Sequence, residues 1–449
     1  MEPTQKLKSI AQTVAQRVSP SPQEAEKERV FAQRIIAKLA PQLKEAKLML
    51  VGSTARDTGL HGDKDVDVFA AFPRHLEEDD IVKKTVSAVK KTINANWVMH
   101  YAEHPYLQAT VEGYKVEVIP CFQLKKNHPL KSAVDRTPLH MDFLQQKLSP
   151  NQRQDVRALK QLLKTHRLYG AELQVKGFSG ILCEYLVLNF RSFSGVIEAV
   201  KDWKPPVKID FARSYKQFDA PLVFIDAVDQ NRNVAAVVSD TQLHRFIALS
   251  QALWTKPSEA LFYPTQTKTV SASTLQKNLD RRKTDWVVLE FQKPSVVDDI
   301  FFPQLERTAA NLKKQFALRQ FNVFSDAAFE DGKNAYIFLE LDHAELPCVR
   351  RTLGPPVSHA DQAHRFVKGK TPWRGPYVHG NRVVVEEQRT DTNAWTFLKK
   401  VQKNPGRFGV ASHLQKPFQK ARMRHAVRQL STAAQAALSA HLHQKEPWW

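Results

Sequence analysis

The sequence predicts an α+β chain of several domains, and three observations carry that prediction. Short apolar runs between residues 48 and 119 alternate with helical spacing, which marks a small unit of mixed strands and helices. From about residue 140 to 254 the pattern is helical. After a polar Thr/Ser/Lys-rich stretch at 255–285, strands and one long helix follow in β-α-β-β order. A length of 449 residues suits two to four domains at about 150 residues each.

Taken in order, residues 22–40 read as an amphipathic helix, with Val30, Ile35, Ile36 and Leu39 on or near one face. A strand at 48–51 runs into Gly52-Ser53. A short helix at 54–60 and a turn at His61-Gly62-Asp63 lead to a second strand at 66–72. A helix follows at 79–93, then two strands at 107–111 and 114–119 flanking Glu112-Gly113, a hairpin signal. Helices are expected at 152–166, 180–190 and 240–254, with Pro205-Pro206 as a break and a short strand at 223–226. Beyond 285, strands at 285–291, 322–324 and 336–341 surround a helix at 298–320. Residues 352–381 read as a Pro/Gly/His-rich loop or small appended unit. A strand at 382–387 and two helices, one of them basic around 416–428, finish the chain.

Composition narrows the class. With 42% hydrophobic residues the chain can pack a core, so wholesale disorder is excluded. No run approaches the ~18 apolar residues of a membrane span, and the first 17 residues lack the apolar stretch of a secretory signal. Cys121, Cys183 and Cys348 lie far apart without metal-ligand spacing, so reduced thiols in a cytoplasmic protein are expected. The net charge is +20, and residues 399–449 hold ten basic residues against one acid, Glu446. Such a chain attracts polyanions with or without a specific site.

The chemistry concentrates between Gly52 and Glu117. Gly52-Ser53 sits between a strand and a helix start, where backbone N–H groups and a hydroxyl can hold phosphate oxygens. Asp65 and Asp67 lie two apart on a strand, so both carboxylates project from one face and can share divalent cations. Without cations they would repel each other. On the strand at 114–119, Val116 and Val118 take the core side and leave Glu117 on the other. If the two strands are neighbours, Glu117 joins the pair as a third carboxylate. A Gly-Ser turn or a paired acid alone is weak evidence, because exposed strands are often acidic. The ordered combination is specific.

These motifs resemble the polymerase-β-type nucleotidyltransferases. The likeness sharpens in Gly52-Ser53-Thr54-Ala55-Arg56-Asp57-Thr58, Tyr101-Ala102-Glu103-His104-Pro105-Tyr106 and Lys131-Ser132-Ala133-Val134-Asp135-Arg136-Thr137-Pro138. It extends to Tyr169-Gly170-Ala171-Glu172, Gly177-Phe178-Ser179-Gly180 and Arg232-Asn233-Val234-Ala235-Ala236. Together they resemble the archaeal class I CCA-adding enzymes, densely from about 30 to 265 and more loosely to the C-terminus, including Trp373-Arg374-Gly375-Pro376.

The resemblance implies a nucleotidyltransferase head (1–138), a helical central neck that binds nucleotide (139–265) and an RRM-like body (266–449) with an inserted tail at about 326–384, which binds tRNA. It implies that C, C and A are added to tRNA from CTP and ATP by two-metal phosphoryl transfer with Mg²⁺. By position, Asp65, Asp67 and Glu117 become metal-binding catalytic carboxylates. Gly52, Ser53, Arg56, His140, Lys160, Tyr169 and Arg232 become nucleotide contacts. Arg232 would read the incoming base, since guanidinium donors suit acceptors on cytosine and adenine but not the donor edge of guanine. This chain departs from the family in three places. Glu117 stands where aspartate is usual, Asp65 where many members have glutamate, and Gly59 where relatives tend to carry tryptophan.

Lys416, Lys420, Arg422 and Arg424 are expected to grip the tRNA duplex, and the loop at 364–381 to assist. The body lacks the aromatic RNP pattern, so stacking of single-stranded bases is not expected. A homodimer is compatible with the sequence. Two other readings stay open: a poly(A) polymerase or oligoadenylate synthetase, and a catalytically dead RNA-binding protein.

Overall fold

The computed structural model describes residues 2–101, 105–124, 131–263 and 270–449. The motif at 101–106 lies partly outside them. The chain divides into two compact units: Met1–Gln266 with Glu446–Trp449, and Thr267–Lys445.

The first unit opens with α1 (Pro3–Val18) and α2 (Pro22–Leu39). Ser21 starts α2 by accepting from Glu24 N at 3.1 Å, with Pro22 in the first turn where its missing N–H costs nothing. Phe31, Ala32, Ile35 and Leu39 form its buried stripe, whereas Val30 is exposed, contrary to the sequence reading. Then come β1 (Lys47–Val51), α3 (Gly52–Arg56), β2 (Asp65–Phe72), α4 (Glu78–Thr92), β3 (Val98–Tyr101), β4 (Pro105–Val111) and β5 (Tyr114–Phe122). The expected helix at 54–60 is this α3. It starts two residues earlier and ends where Asp57 turns left-handed at φ 54°. The strands form one sheet in the order β1-β2-β5-β4-β3, with β2 and β5 parallel and the other pairs antiparallel. Val66, Val68, Ala70, Val116 and Val118 pack with Phe31, Ile35, Ile81 and Val89 of α2 and α4 in one core. The period of two therefore turns Asp65, Asp67 and Glu117 to the opposite face.

A second core belongs to α5 (Arg136–Lys147), α6 (Pro150–Thr165), α7 (Gly180–Phe190), α8 (Phe193–Val200) and α9 (Asp240–Thr255), with β6 (Val207–Ile209) paired to β7 (Leu222–Phe224). Helix α1 packs here through Leu7, Ala11 and Val14, not with the sheet that it precedes in sequence. The chain end joins the same unit. Glu446 bonds Arg245 at 2.5 and 3.0 Å, and Trp448 meets His166 edge-on at 5.1 Å. No single helix among the described residues is long and apolar enough to cross a membrane.

The second unit contains α10 (Ala272–Arg282), β8 (Asp285–Gln292), α11 (Asp298–Ala317), β9 (Val323–Glu330) and β10 (Asn334–Leu341). It continues with β11 (Val349–Pro356), α12 (Ala360–Val367), β12 (Arg374–His379), β13 (Arg382–Gln388), α13 (Ala394–Lys403), α14 (Gln415–Gln419), β14 (Arg422–Arg424) and α15 (Thr432–Leu442). The main sheet runs β14-β8-β10-β9. Phe301, Leu312 and Phe397 of α11 and α13 cover one face, and Leu275, Leu279 and Leu438 of α10 and α15 cover the other. Helices therefore cover both faces of this sheet.

Three expectations need correction. A separate three-stranded sheet β11-β13-β12 with α12 occupies 349–388, whereas β9 and β10, inside the 326–384 expected for a tail, belong to the main sheet. The basic helix at 416–428 does not form: Pro417 and the return of the chain to β8 leave only α14 and then β14. Lys416, Lys420 and Arg422 are exposed, whereas Arg424 Nε bonds Glu290 Oε2 at 2.6 Å and holds β14 to β8. The loop at 364–381 is in fact the end of α12 and all of β12.

Candidate active site

The site begins with strand register. In the parallel pair β2–β5, Asp65 lies opposite Lys115 and Asp67 opposite Glu117. In the antiparallel pair β1–β2, Val51 lies opposite Asp67, which sets the start of α3 beside that carboxylate. Gly52 is required there. Its φ is +78°, and a Cβ on it would lie 2.2 Å from Asp67 Oδ2. Thr54 Oγ1 lies 2.6 Å from Glu28 Oε1 and 3.1 Å from Asp65 O, so its one proton ties the turn chiefly to Glu28.

The three carboxylates share one sheet face, and their hard oxygens are the donor type that Mg²⁺-class cations take. They are not gathered into a ready ligand set: among the described residues no three His, Cys, Asp or Glu groups meet that standard. Glu117 Oε1 is instead engaged within the sheet, accepting from Lys115 Nζ at 2.9 Å and Gln108 Nε2 at 2.7 Å. Asp65, the first residue of β2, keeps a raised pKa, chiefly from partial burial. Burial, then the charges of Glu117 and Asp65, push Asp67 up from 3.8 to about 7. Like charges on one sheet face are the load that a bound cation relieves.

That load predicts a pH effect. The folded pKa of Asp67 lies above its unfolded value, so its share of stability is complete below about 3.8 and lost as pH rises through about 7. In chelating buffer, thermal melting should fall between about pH 4 and 7 and level off above that, and Asp67→Asn should remove most of that slope. A wild-type melting temperature that stays level over the range would contradict it.

The turn side chains continue into the helical core. Arg56 is buried, with Nε 2.9 Å from Glu184 Oε2 and a terminal nitrogen 3.1 Å from Met141 Sδ. Glu184 is fully buried on α7 and also accepts from Thr58 Oγ1 at 2.6 Å. Lys160 Nζ, equally buried, donates to Thr58 O at 3.0 Å and lies 3.9 Å from Glu184. Burial opposes the charge of Glu184, but Arg56, Lys160 and the Thr58 bond outweigh it and hold its pKa below the usual range. Burial lowers Lys160. Two cations thus share one carboxylate, which leaves positive charge for an anion to offset. Tyr169 OH and Lys160 Nζ both crowd Gly180, where an added Cβ would lie 3.0 and 3.6 Å from them. Ser53 Oγ would stand 3.8 Å from a Cβ at Gly59.

A second cluster surrounds Asp226, which is fully buried just after β7. Its carboxylate accepts from His140 Nε2 at 2.9 Å, Tyr185 OH at 3.0 Å, Val228 N at 3.0 Å and Arg232 at 3.0 Å. Burial would raise its pKa, but the bonds from His140, Val228 and Arg232 hold it well below the usual carboxylate range. Burial lowers His140. Asn233 pins the loop, accepting from Phe224 N and Ala235 N, each at 2.9 Å. Arg232 is about a third exposed, so one end is fixed while the other meets solvent. Asp229 does not bond the Arg232 side chain; it pairs with Arg136 at 2.9 Å.

Sequence reasoning missed Glu184, Tyr185 and Glu28. Glu184 had a signal: it is the single charge in the apolar run of α7, and a buried carboxylate demands a cation. Tyr185 and Glu28 had none, because their partners come from distant segments.

Known families match this chain in the same order as these structures. The nucleotidyltransferase domain family matches residues 33–140, the second domain of tRNA nucleotidyltransferase 154–263, and the C-terminal domain of the CCA-adding enzyme 282–421. A CCA-adding enzyme of Halobacterium salinarum is 37% identical over 87% of this chain and 88% of its own. That of Haloarcula marismortui is 38% identical over 79% of this chain and 80% of its own. That of Methanocaldococcus jannaschii is 34% identical over 81% and 84%.

Proposed function

Because this chain belongs to the CCA-adding enzyme family, we propose a division of its residues over template-independent addition of C, C and A to the tRNA 3′ end. The observation that carries the division is the register of Asp67 against Glu117, with Asp65 on the same face.

Asp65, Asp67 and Glu117 are the catalytic carboxylates and would hold two Mg²⁺ ions, with Glu117 leaving Lys115 to do so. When bound, those ions lower the pKa of the attacking 3′-hydroxyl and offset charge on the triphosphate. The chain's own groups do the positioning. Gly52 and Ser53 meet the phosphates. Arg56, Lys160 and Tyr169 border them, and the excess positive charge over Glu184 meets the oxygens that the ions leave uncompensated. His140 and Asp226 orient Arg232, which presents donors to the incoming base. Residues 1–138 thus act as the head, 139–265 as the neck and 266–449 as the tRNA-holding body. The reading places the enzyme in the cytoplasm, off the membrane, and is compatible with a homodimer.

The test uses tRNAs ending before, within and after CCA, each with a single nucleotide. CTP alone should extend the first and ATP alone the CC end, with no extension of a complete CCA. Unlimited A-tailing without use of CTP would favour the poly(A) polymerase reading. Absence of incorporation with either Mg²⁺ or Mn²⁺ would favour a binding protein, the reading to which the Glu117–Lys115 pair lends support.

A second prediction concerns the exposed basic residues. Neutralising Lys416, Lys420 and Arg422 together should weaken tRNA binding and lower the slope of log K against log salt by about two to three. The KM for CTP should not move. Arg424 is left intact, because its loss would free β14. Unchanged tRNA affinity would show that these cations only solubilise the surface.

A further inference from the structure

The second unit contains a cavity of about 340 Å³ that none of the residues assigned above lines. Arg319, Arg350, Arg389, Thr390 and Asp391 provide polar walls. Arg319 follows α11, Arg350 lies on β11, and Arg389 lies in the link from β13 to α13. The fold thus brings three guanidinium groups together from segments far apart in sequence.

Their charge is not balanced locally. Asp391 is divided between Arg319 Nε at 3.0 Å and Lys400 Nζ at 2.6 Å. Glu387 is divided between Arg350 at 3.0 Å and Lys370 Nζ at 2.8 Å. Arg389 takes only uncharged oxygens: Pro347 O at 3.0 Å, Arg319 O at 3.2 Å and Gln320 Oε1 at 2.6 Å. Five cations therefore meet two carboxylates. Burial and the neighbouring Arg350 both depress the pKa of Arg389, as expected for like charges held together.

The guanidiniums are also pre-ordered. Arg319 lies 4.0 Å over the Phe397 ring and 5.5 Å from that of Phe408, with one terminal nitrogen tied to Gln315 O at 2.9 Å. Each of the three keeps one terminal nitrogen outside the bonds just named. Fixed, charge-assisted donors with spare N–H groups around a small cavity fit a tetrahedral oxyanion.

We infer that this cavity binds a phosphate of the tRNA backbone, as an anchor separate from the catalytic carboxylates and from Lys416, Lys420 and Arg422. The inference rests on the reading that this chain binds tRNA. The anchor is sequence-independent, as a protein that must accept every tRNA requires.

The test measures tRNA affinity against salt for the full-length wild type, Arg389→Gln and Arg389→Lys, with melting temperature as a folding control. Arg389→Gln should weaken tRNA binding roughly tenfold and lower the salt slope by about one. Arg389→Lys should restore most of the slope, and the KM for CTP should stay unchanged. Inorganic phosphate, titrated at constant ionic strength, should compete with tRNA in the wild type and lose that effect in Arg389→Gln. If Arg389→Gln does not fold, Arg350→Gln replaces it with the same expected outcome, since Lys370 remains to pair Glu387. A folded variant with the wild-type slope overturns the inference. So does loss of phosphate competition with the slope kept, which would mark a site for the small anion alone. A wild type that binds no tRNA overturns the underlying reading instead, before any variant is made.

Discussion

Asp67→Ala should lower nucleotide incorporation by at least about 10²–10³-fold, the scale on which one strong electrostatic contributor to a transition state acts, while tRNA affinity persists. Asp67 lies at the centre of the arrangement: opposite Glu117 on one side, opposite Val51 on the other, with its carboxylate against Gly52. The loss should come from chemistry and not from unfolding. The native state without divalent ions bears the cost of that buried charge, so removing it should leave the melting temperature in chelator unchanged or higher. Divalent ions should stabilise the wild type more than the variant. Incorporation above a tenth of wild type, or tRNA binding lost together with activity, would remove Asp67 from the catalytic role.

The second large effect is expected at Asp226. One buried carboxylate organises His140, Tyr185, Val228 and Arg232. Asp226→Ala strands a buried guanidinium end and a phenol, and should cost about 3–5 kcal/mol of stability, the range for breaking a buried charged pair. Asp226→Asn keeps the volume and is the informative variant. It should raise the KM for CTP and ATP together and relax discrimination against GTP and UTP, because Arg232 is no longer held at one end. Steady-state kinetics with all four nucleotides decides it. Unaltered base selection in a folded Asp226→Asn protein would show that Arg232 does not read the base through this support.

How much of this was legible in the sequence depended on how local each cause is. The paired acids, the hairpin that carries Glu117 and the helices of the central region follow from periods of two and 3.6, which are local. That Glu117 shares a face with the acid pair rested on a condition, that the two strands be neighbours, and the sheet order meets it. What the sequence hid was pairing at long range. Glu184 serves residues more than 120 positions away, and α1 crosses to a core that its neighbours in sequence do not join. The basic C-terminal stretch misled for the same reason. Its cations read as a basic helix gripping a duplex, but no such helix forms and Arg424 is committed to a distant Glu290. A charge surplus read along the chain says little about which charges remain available.

The account is tested most directly by counting the pyrophosphate released per tRNA under single-turnover conditions with CTP, ATP and Mg²⁺. If the carboxylate face of this chain adds C, C and A and stops, a tRNA lacking the whole terminus should yield three pyrophosphates, one ending in CC should yield one, and a complete CCA end should yield none. The Asp67→Ala protein should release none from any of them. Pyrophosphate released without matching extension, continued release beyond the complete end, or release by the Asp67 variant would contradict the account.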